Sequence, residues 1–291
     1  MKIGSLCTGY AGLDLAVQSA LGPEVSFAWY SESDRSASKL LQHRLVGVSN
    51  IGDLTTANWS SLGQIDILTG GYPCQPFSNL GKKLGENDTR HLWPYIRNAI
   101  RVLRPRISIF ENVSAHLARG FSTVLRDCAE DGLSVRWLSL PASAVGAPHR
   151  RERLFFTITD PGGEGLQRDC VQSAGLVTPS ERVGLADGDS GFDWGRYTDA
   201  VNRWESVIGR SAPNPTEPNA NGRPRPTSPF YEWMMGLPDG WVTDPALGLP
   251  WSQQIKMCGN GVVPAQAELA IRTLLSKKFE HLDTHRKGTY G

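Results

Sequence analysis

Residues 2–21, KIGSLCTGYAGLDLAVQSAL, set the pattern on which the fold turns. Lys2 to Leu6 reads as a short strand, Leu13 to Leu21 has helical apolar spacing, and Thr8-Gly9-Tyr10-Ala11-Gly12 joins them as a glycine turn. Such a turn lets a ligand approach backbone N–H groups at a helix N-terminus, although many turns of this kind serve packing alone. Working outward, Val25 to Ser31, Ile65 to Thr69, Ile107 to Glu111, Val135 to Leu140 and Arg153 to Ile158 read as further strands. Ser36 to Leu45, Tyr95 to Leu103 and Phe121 to Glu130 read as helices between them. This alternation predicts an α/β fold with a doubly wound sheet, in which ligands gather at the carboxyl ends of the strands. Polar or glycine residues fall at those ends: Thr8-Gly9, Glu32, Gly70-Gly71 and Glu111-Asn112.

After Asp160-Pro161 the texture becomes rich in Gly, Pro, Asp and Asn up to GRPRPTSP at 222–229, which reads as a loop-rich second lobe or an insert. Trp233, Met234 and Met235 read as core of that lobe. Val262 to Leu275 is apolar-periodic and predicts a helix starting near Pro264 or Ala265.

At 291 residues with 40% hydrophobic and 20% charged content, the chain can bury a substantial core. Its five cysteines are odd in number and form no C-x-x-C pair, which argues against a disulfide framework and a Cys-rich zinc site. No run of about 18 apolar residues occurs. The expectation is a soluble, monomeric, metal-free protein of a reducing cytoplasm, with no membrane partner. A net charge of +1 does not announce a nucleic-acid binder. Locally, Lys82, Lys83, Arg90, Arg97, Arg101, Arg104 and Arg106 outnumber Glu86 and Asp88, a surplus suited to phosphate or to a solvated helix face.

The chemistry-bearing residues sit at the strand ends. In GGYPCQPFS (70–78), Pro73-Cys74 holds a thiol in a glycine- and proline-punctuated loop, either as a nucleophile on display or as a small buried residue beside a turn. Glu32 closes the second strand about 20 residues after the glycine turn, the spacing at which a carboxylate meets ribose hydroxyls. Asp53 either suits an adenine amino group or caps the following turn. If Cys74 adds to carbon 6 of a cytosine, negative charge builds toward nitrogen 3, where Glu111 could donate. In HRRER (149–153), Arg151 and Arg153 alternate along a strand and can point the same way.

Taken in order, SLCTGYAGLDLA, YSESD, GDLT, GGYPCQPFS, FENV, HRRER and GNGVVPAQAE resemble the successive motifs of the DNA (cytosine-5)-methyltransferases, across nearly the whole chain except 161–225. The resemblance implies a Rossmann-like mixed seven-stranded sheet with helices on both faces, covering residues 1–160 and completed by 257–291. It also implies a small target-recognition lobe over 161–256. It implies S-adenosylmethionine as donor, S-adenosylhomocysteine as product, and double-stranded DNA as partner. Cys74 would be the nucleophile and Glu111 the acid at nitrogen 3, with Asn112 bracing the loop and Arg151 and Arg153 serving the base. Gly9, Gly12, Leu13, Glu32, Asp53, Pro73, Leu92 and Asn260 would border the donor, and 74–91 would be a mobile lid with Gly81 and Gly85. Cys7 and Ala11 stand where the family usually has an aromatic residue and a glycine, and His149 where glutamine is common. The alternatives are the same chemistry on transfer RNA and a catalytically silent DNA-binding relative.

Overall fold

A computed structural model describes residues 1–73, 92–162 and 192–276. Seven strands form one mixed sheet: β1 (Lys2–Leu6), β2 (Ser26–Ser31), β3 (Ser49–Asn50), β4 (Ile67–Gly70), β5 (Ile107–Val113), β6 (Ser134–Leu140) and β7 (Arg153–Thr159). Their order is β3-β2-β1-β4-β5-β7-β6. The first five lie parallel, while β7 inserts antiparallel between β5 and β6. The strand order reverses between β1 and β4, the crevice where an open α/β sheet takes its ligand.

Both faces of the sheet are covered, and alternation within the strands explains how. Ile3, Ile67, Ile107, Ile109 and Phe155 point to one face, where they pack with α1 (Gly12–Leu21) and α8 (Pro264–Leu275). Leu6, Leu68, Phe110, Leu154 and Phe156 point to the other, against α3 (Trp93–Leu103) and α4 (Phe121–Glu130). A fully buried Phe or Leu of this kind contributes about 1.5–3 kcal/mol. Helix starts follow the local chemistry. Asp34 caps α2 (Arg35–Arg44) by accepting from the N–H groups of Ser36 and Ala37, and Pro264 opens α8.

Beyond residue 191 the chain is more ordered than its composition suggests. α5 (Thr198–Ile208) buries Val201 and Trp204, and α6 (Ser228–Met234) and α7 (Trp251–Asn260) follow the β8 (Thr216–Pro218) and β9 (Pro224–Pro226) hairpin. Trp233 is fully buried and Met235 nearly so, while Met234 is half-buried. One apolar cluster joins Trp204, Trp233 and Val242 to Tyr10, Tyr30, Leu40 and Leu41, so this part shares its core with α1 and α2. Among the described residues no helix is long and apolar enough to cross a membrane.

Candidate active site

The carboxyl ends of β1, β4 and β5 open into a cleft of about 580 Å³. It collects Gly9, Gly12, Leu13, Glu32, Pro73, Glu111, Arg153 and Asn260 from across the sequence. Arg151, Asp53 and Leu92 do not line it. Cys74 and the 74–91 segment lie outside the described residues, which stop at Pro73 on the cleft wall.

At one end, carboxylates organise backbone. Glu32 accepts from the N–H of Gly9 at 2.8 Å and of Asp34 at 2.7 Å, which ties the glycine turn to the second strand. Burial nonetheless raises the Glu32 carboxyl above its usual range. Ala11 adopts a left-handed backbone with φ 66°, a conformation that costs a side-chain-bearing residue about 1–2 kcal/mol. Tyr10 wedges this turn against the far end of the chain. Its hydroxyl donates to Val262 O at 2.7 Å, and a Cβ on either Gly12 or Gly261 would collide with its ring. Both glycines are therefore required by packing.

This end of the cleft is electronegative. Burial, and then the charges of Glu32 and Asp53, push the Cys7 thiol up to about 12, which leaves it protonated and inert. Asp53 itself is exposed and spends a carboxylate oxygen on the N–H of Thr55 at 2.9 Å. Asp14, fully buried in the first turn of α1, accepts from Ser5 Oγ at 3.0 Å and Thr69 Oγ1 at 2.5 Å. Burial lifts its carboxyl to about 6. Across the mouth, Lys256 Nζ meets Asp34 at 2.7 Å.

At the other end, β5 and β7 bring the acid and an arginine together. Val113 faces Arg153 in the antiparallel ladder, so Glu111, two residues back, shares a face with Arg153. Arg153 Nε lies 2.9 Å from Glu111 Oε1. The ion pair favours a charged carboxylate and burial a neutral one. Burial prevails, and Glu111 is pushed up to about 7 despite Arg153 and Arg151. Its other oxygen, Oε2, faces Gly71, at whose position a Cβ would lie 3.4 Å away. Asn112 Nδ2 donates to Tyr72 O at 3.0 Å and holds the segment leading to Pro73.

Behind that segment Tyr72 Oη sits 2.9 Å from His116 Nε2, while His116 Nδ1 lies 3.1 Å from Arg119 O. A carbonyl only accepts, so Nδ1 carries the proton and the tyrosine donates to Nε2. Arg151 turns elsewhere, donating to Gly259 O at 2.8 Å and Gly261 O at 2.5 Å, and Gln266 Nε2 reaches Arg151 O at 2.9 Å. Arg151 thus staples the loop before β7 to the Gly-Asn-Gly turn. Leu92 caps α3 among the apolar residues. His149 Nε2 bonds Met234 O at 3.0 Å, joining the arginine motif to α6.

Sequence reasoning missed Asp14, Asp34 and Lys256. Lys256 was readable, since it precedes Asn260 by four residues and so shares a helix face with it. Asp14 carried a weaker signal, as a charged residue on the buried face of an apolar helix.

A family model described as C-5 cytosine-specific DNA methylase matches residues 1–165. The chain is 33% identical over 160 residues to the type II methyltransferase M1.ScrFI of Lactococcus lactis subsp. cremoris, covering 53% of this chain and 40% of that protein. It is 31% identical over 160 residues to the type II methyltransferase M.NlaX of Neisseria lactamica, covering 53% and 51%. These matches span about half or less of the relatives' own length. The Dnmt2 methyltransferase of S. pombe shares the fold, with a TM-score of 0.65 over 97% of this chain and 99% of that one at 16% identity.

Proposed function

Because the chain belongs to the C-5 cytosine-specific DNA methylase family, we propose that it methylates carbon 5 of a cytosine flipped out of double-stranded DNA, with S-adenosylmethionine as donor. The observation that carries this reading is Glu111, a buried carboxyl near half-protonation at neutral pH, gripped by Arg153 on one oxygen, with the other facing Gly71 in the cleft. An acid in that state can give a hydrogen bond or a proton where charge develops.

The cleft suits a cationic donor. Asp14, Glu32 and Asp34 line it, and the negative field felt by Cys7 matches a ligand with a sulfonium and an ammonium. Gly9, Gly12, Leu13, Glu32, Pro73 and Asn260 would hold the donor, with Asp53 and Leu92 as outlying members of the set. When bound, the donor would supply an electrophilic sulfonium methyl group to a carbon 5 made nucleophilic.

The chain's own residues would create that nucleophile. Flipping exposes the base, because neither face of a stacked cytosine is open to attack. Cys74 Sγ, as thiolate, bonds to carbon 6, and the displaced electron pair moves toward nitrogen 3, where Glu111 donates. Arg153 orients Glu111, and Arg151 holds the loop from which Arg153 springs. After methylation, a base, water in the closed site, removes the carbon 5 proton and the electron pair expels Cys74. Residues 1–160 with 257–291 would form the reaction unit and 161–256 the recognition lobe, in a monomer acting on duplex DNA.

Duplex DNA containing 5-fluorocytosine tests the scheme, since fluorine cannot leave as a proton does. The expected result is a covalent protein–DNA adduct that requires donor and is abolished in Cys74→Ala. An equal adduct in Cys74→Ala would sink the mechanism, as would none in the wild type. Methyl transfer confined to transfer RNA would overturn the substrate.

A further inference from the structure

Among the described residues of the 161–256 segment there are five arginines, and the structure separates them. Arg203 donates to Gly146 O at 3.4 Å, and Arg210 pairs with Asp239 at 3.1 Å. Arg225 pairs with Glu217 at 2.7 Å and lies over the Trp251 ring. Arg196 stacks on Tyr197 and donates to its hydroxyl. Arg223 alone of these is exposed without a side-chain partner among the described residues.

Its position is built rather than incidental. Arg223 closes the hairpin loop between β8 and β9, where Asn219 N donates to Arg223 O at 2.7 Å. The Asn219 side chain accepts from the N–H groups of Asn221 and Arg223 at 2.9 and 3.0 Å, and Gly222 takes the left-handed turn at φ 71°. Below this tip the Glu217–Arg225 pair bridges the strands, and Trp251 Nε1 donates to Pro226 O at 2.8 Å. Pro218, Pro224 and Pro226 remove edge donors, so the ribbon is stiff and poorly suited to pairing with a further strand.

Trp251 also begins α7, whose last turn supplies Met257, Gly259 and Asn260 to the cleft. The hairpin's anchor and the cleft are therefore joined by one helix, roughly 14 Å at 1.5 Å per residue. That is about four base-pair steps at 3.4 Å. A two-stranded ribbon fits the major groove of B-DNA, and an arginine fork there pairs with O6 and N7 of guanine.

We propose that the hairpin Thr216–Pro226 reads the major groove beside the target cytosine, with Arg223 contacting a guanine a few base pairs away. This rests on the reading of the protein as a methyltransferase of duplex DNA. Methylation of a duplex library randomised around a cytosine, read by sequencing, tests it. The wild type is expected to favour guanine at one flanking position. Arg223→Ala should erode that preference by about 5- to 150-fold while preferences elsewhere persist. Arg223→Lys should erode it similarly, because an ammonium keeps the charge but not the fork.

An unchanged profile in Arg223→Ala, with the wild type active, would overturn the hairpin's role and leave the methyltransferase reading intact. A uniform loss over all sequences that Arg223→Lys restores would make Arg223 a phosphate contact and also overturn it. A wild type that modifies no duplex and forms no 5-fluorocytosine adduct would remove the methyltransferase reading, and this proposal with it.

Discussion

Glu111 in the cleft and Glu232 in α6 are both buried glutamates, and burial raises both carboxyls. They differ in what surrounds them. Glu232 accepts from the N–H groups of Gly240, Val242 and Thr243 at 2.8, 2.6 and 2.9 Å, and from Thr243 Oγ1 at 3.3 Å. Those donors wrap the turn after α6 around one fixed carboxyl group. Glu111 has Arg153 on one oxygen and leaves the other facing Gly71, just after β4. Burial alone therefore does not distinguish a carboxyl poised for chemistry from one that holds a loop. Unspent hydrogen-bonding capacity, directed into a cleft, does.

The largest effect that would break this comparison is on rate. Glu111→Gln keeps the shape and an acceptor for Arg153 but cannot supply a proton, so methyl transfer to duplex DNA should fall about 10²- to 10⁴-fold. Donor binding, followed by calorimetry, should change little. Full activity in this variant would reduce Glu111 to a packing residue like Glu232. Next comes Glu232→Ala, which strands buried N–H groups and should lower unfolding stability by about 3–5 kcal/mol in urea titrations. Its activity should follow the folded fraction only. A rate loss in fully folded protein would show that the two glutamates are less different than their surroundings imply.

Much of the sheet was legible because it is buried on both faces. Apolar runs such as Ile107 to Phe110 announce a strand whichever way each side chain points, and predicted and observed boundaries differ by a residue or two. β3 was not legible, since its two residues, Ser49 and Asn50, are polar and exposed at the sheet edge. α5 hid in a polar segment because Val201, Trp204 and Ile208 are its main apolar anchors, and they pack into a cluster drawn from distant parts of the sequence. In the site, the residue types at 32, 111 and 153 were readable from their motifs. Their partners were not. The Glu111–Arg153 contact depends on the register of β5 against β7.

The smallest expected effect is thermodynamic and bears on the proton that Glu111 carries. Its carboxyl titrates near 7 in the folded chain, against an ordinary value of 4.5. A raised folded value means that the native state binds the proton more tightly. The associated stability is fully present below about pH 4.5 and is lost as pH rises through 7. The shift corresponds to about 3 kcal/mol. Asp14, lifted to about 6, contributes a loss of the same sign in an overlapping window, so the wild-type curve alone would mix the two. The difference between Glu111→Gln and wild type isolates Glu111, because Asp14 and Glu232 are common to both. Urea unfolding at intervals from pH 4.5 to 8 should show Glu111→Gln gaining on the wild type by about 2–3 kcal/mol, with the gain levelling above pH 7.5. A flat difference would mean that Arg153 keeps the carboxylate ionised throughout, and that Glu111 enters the reaction as an acceptor, as Glu232 serves its loop.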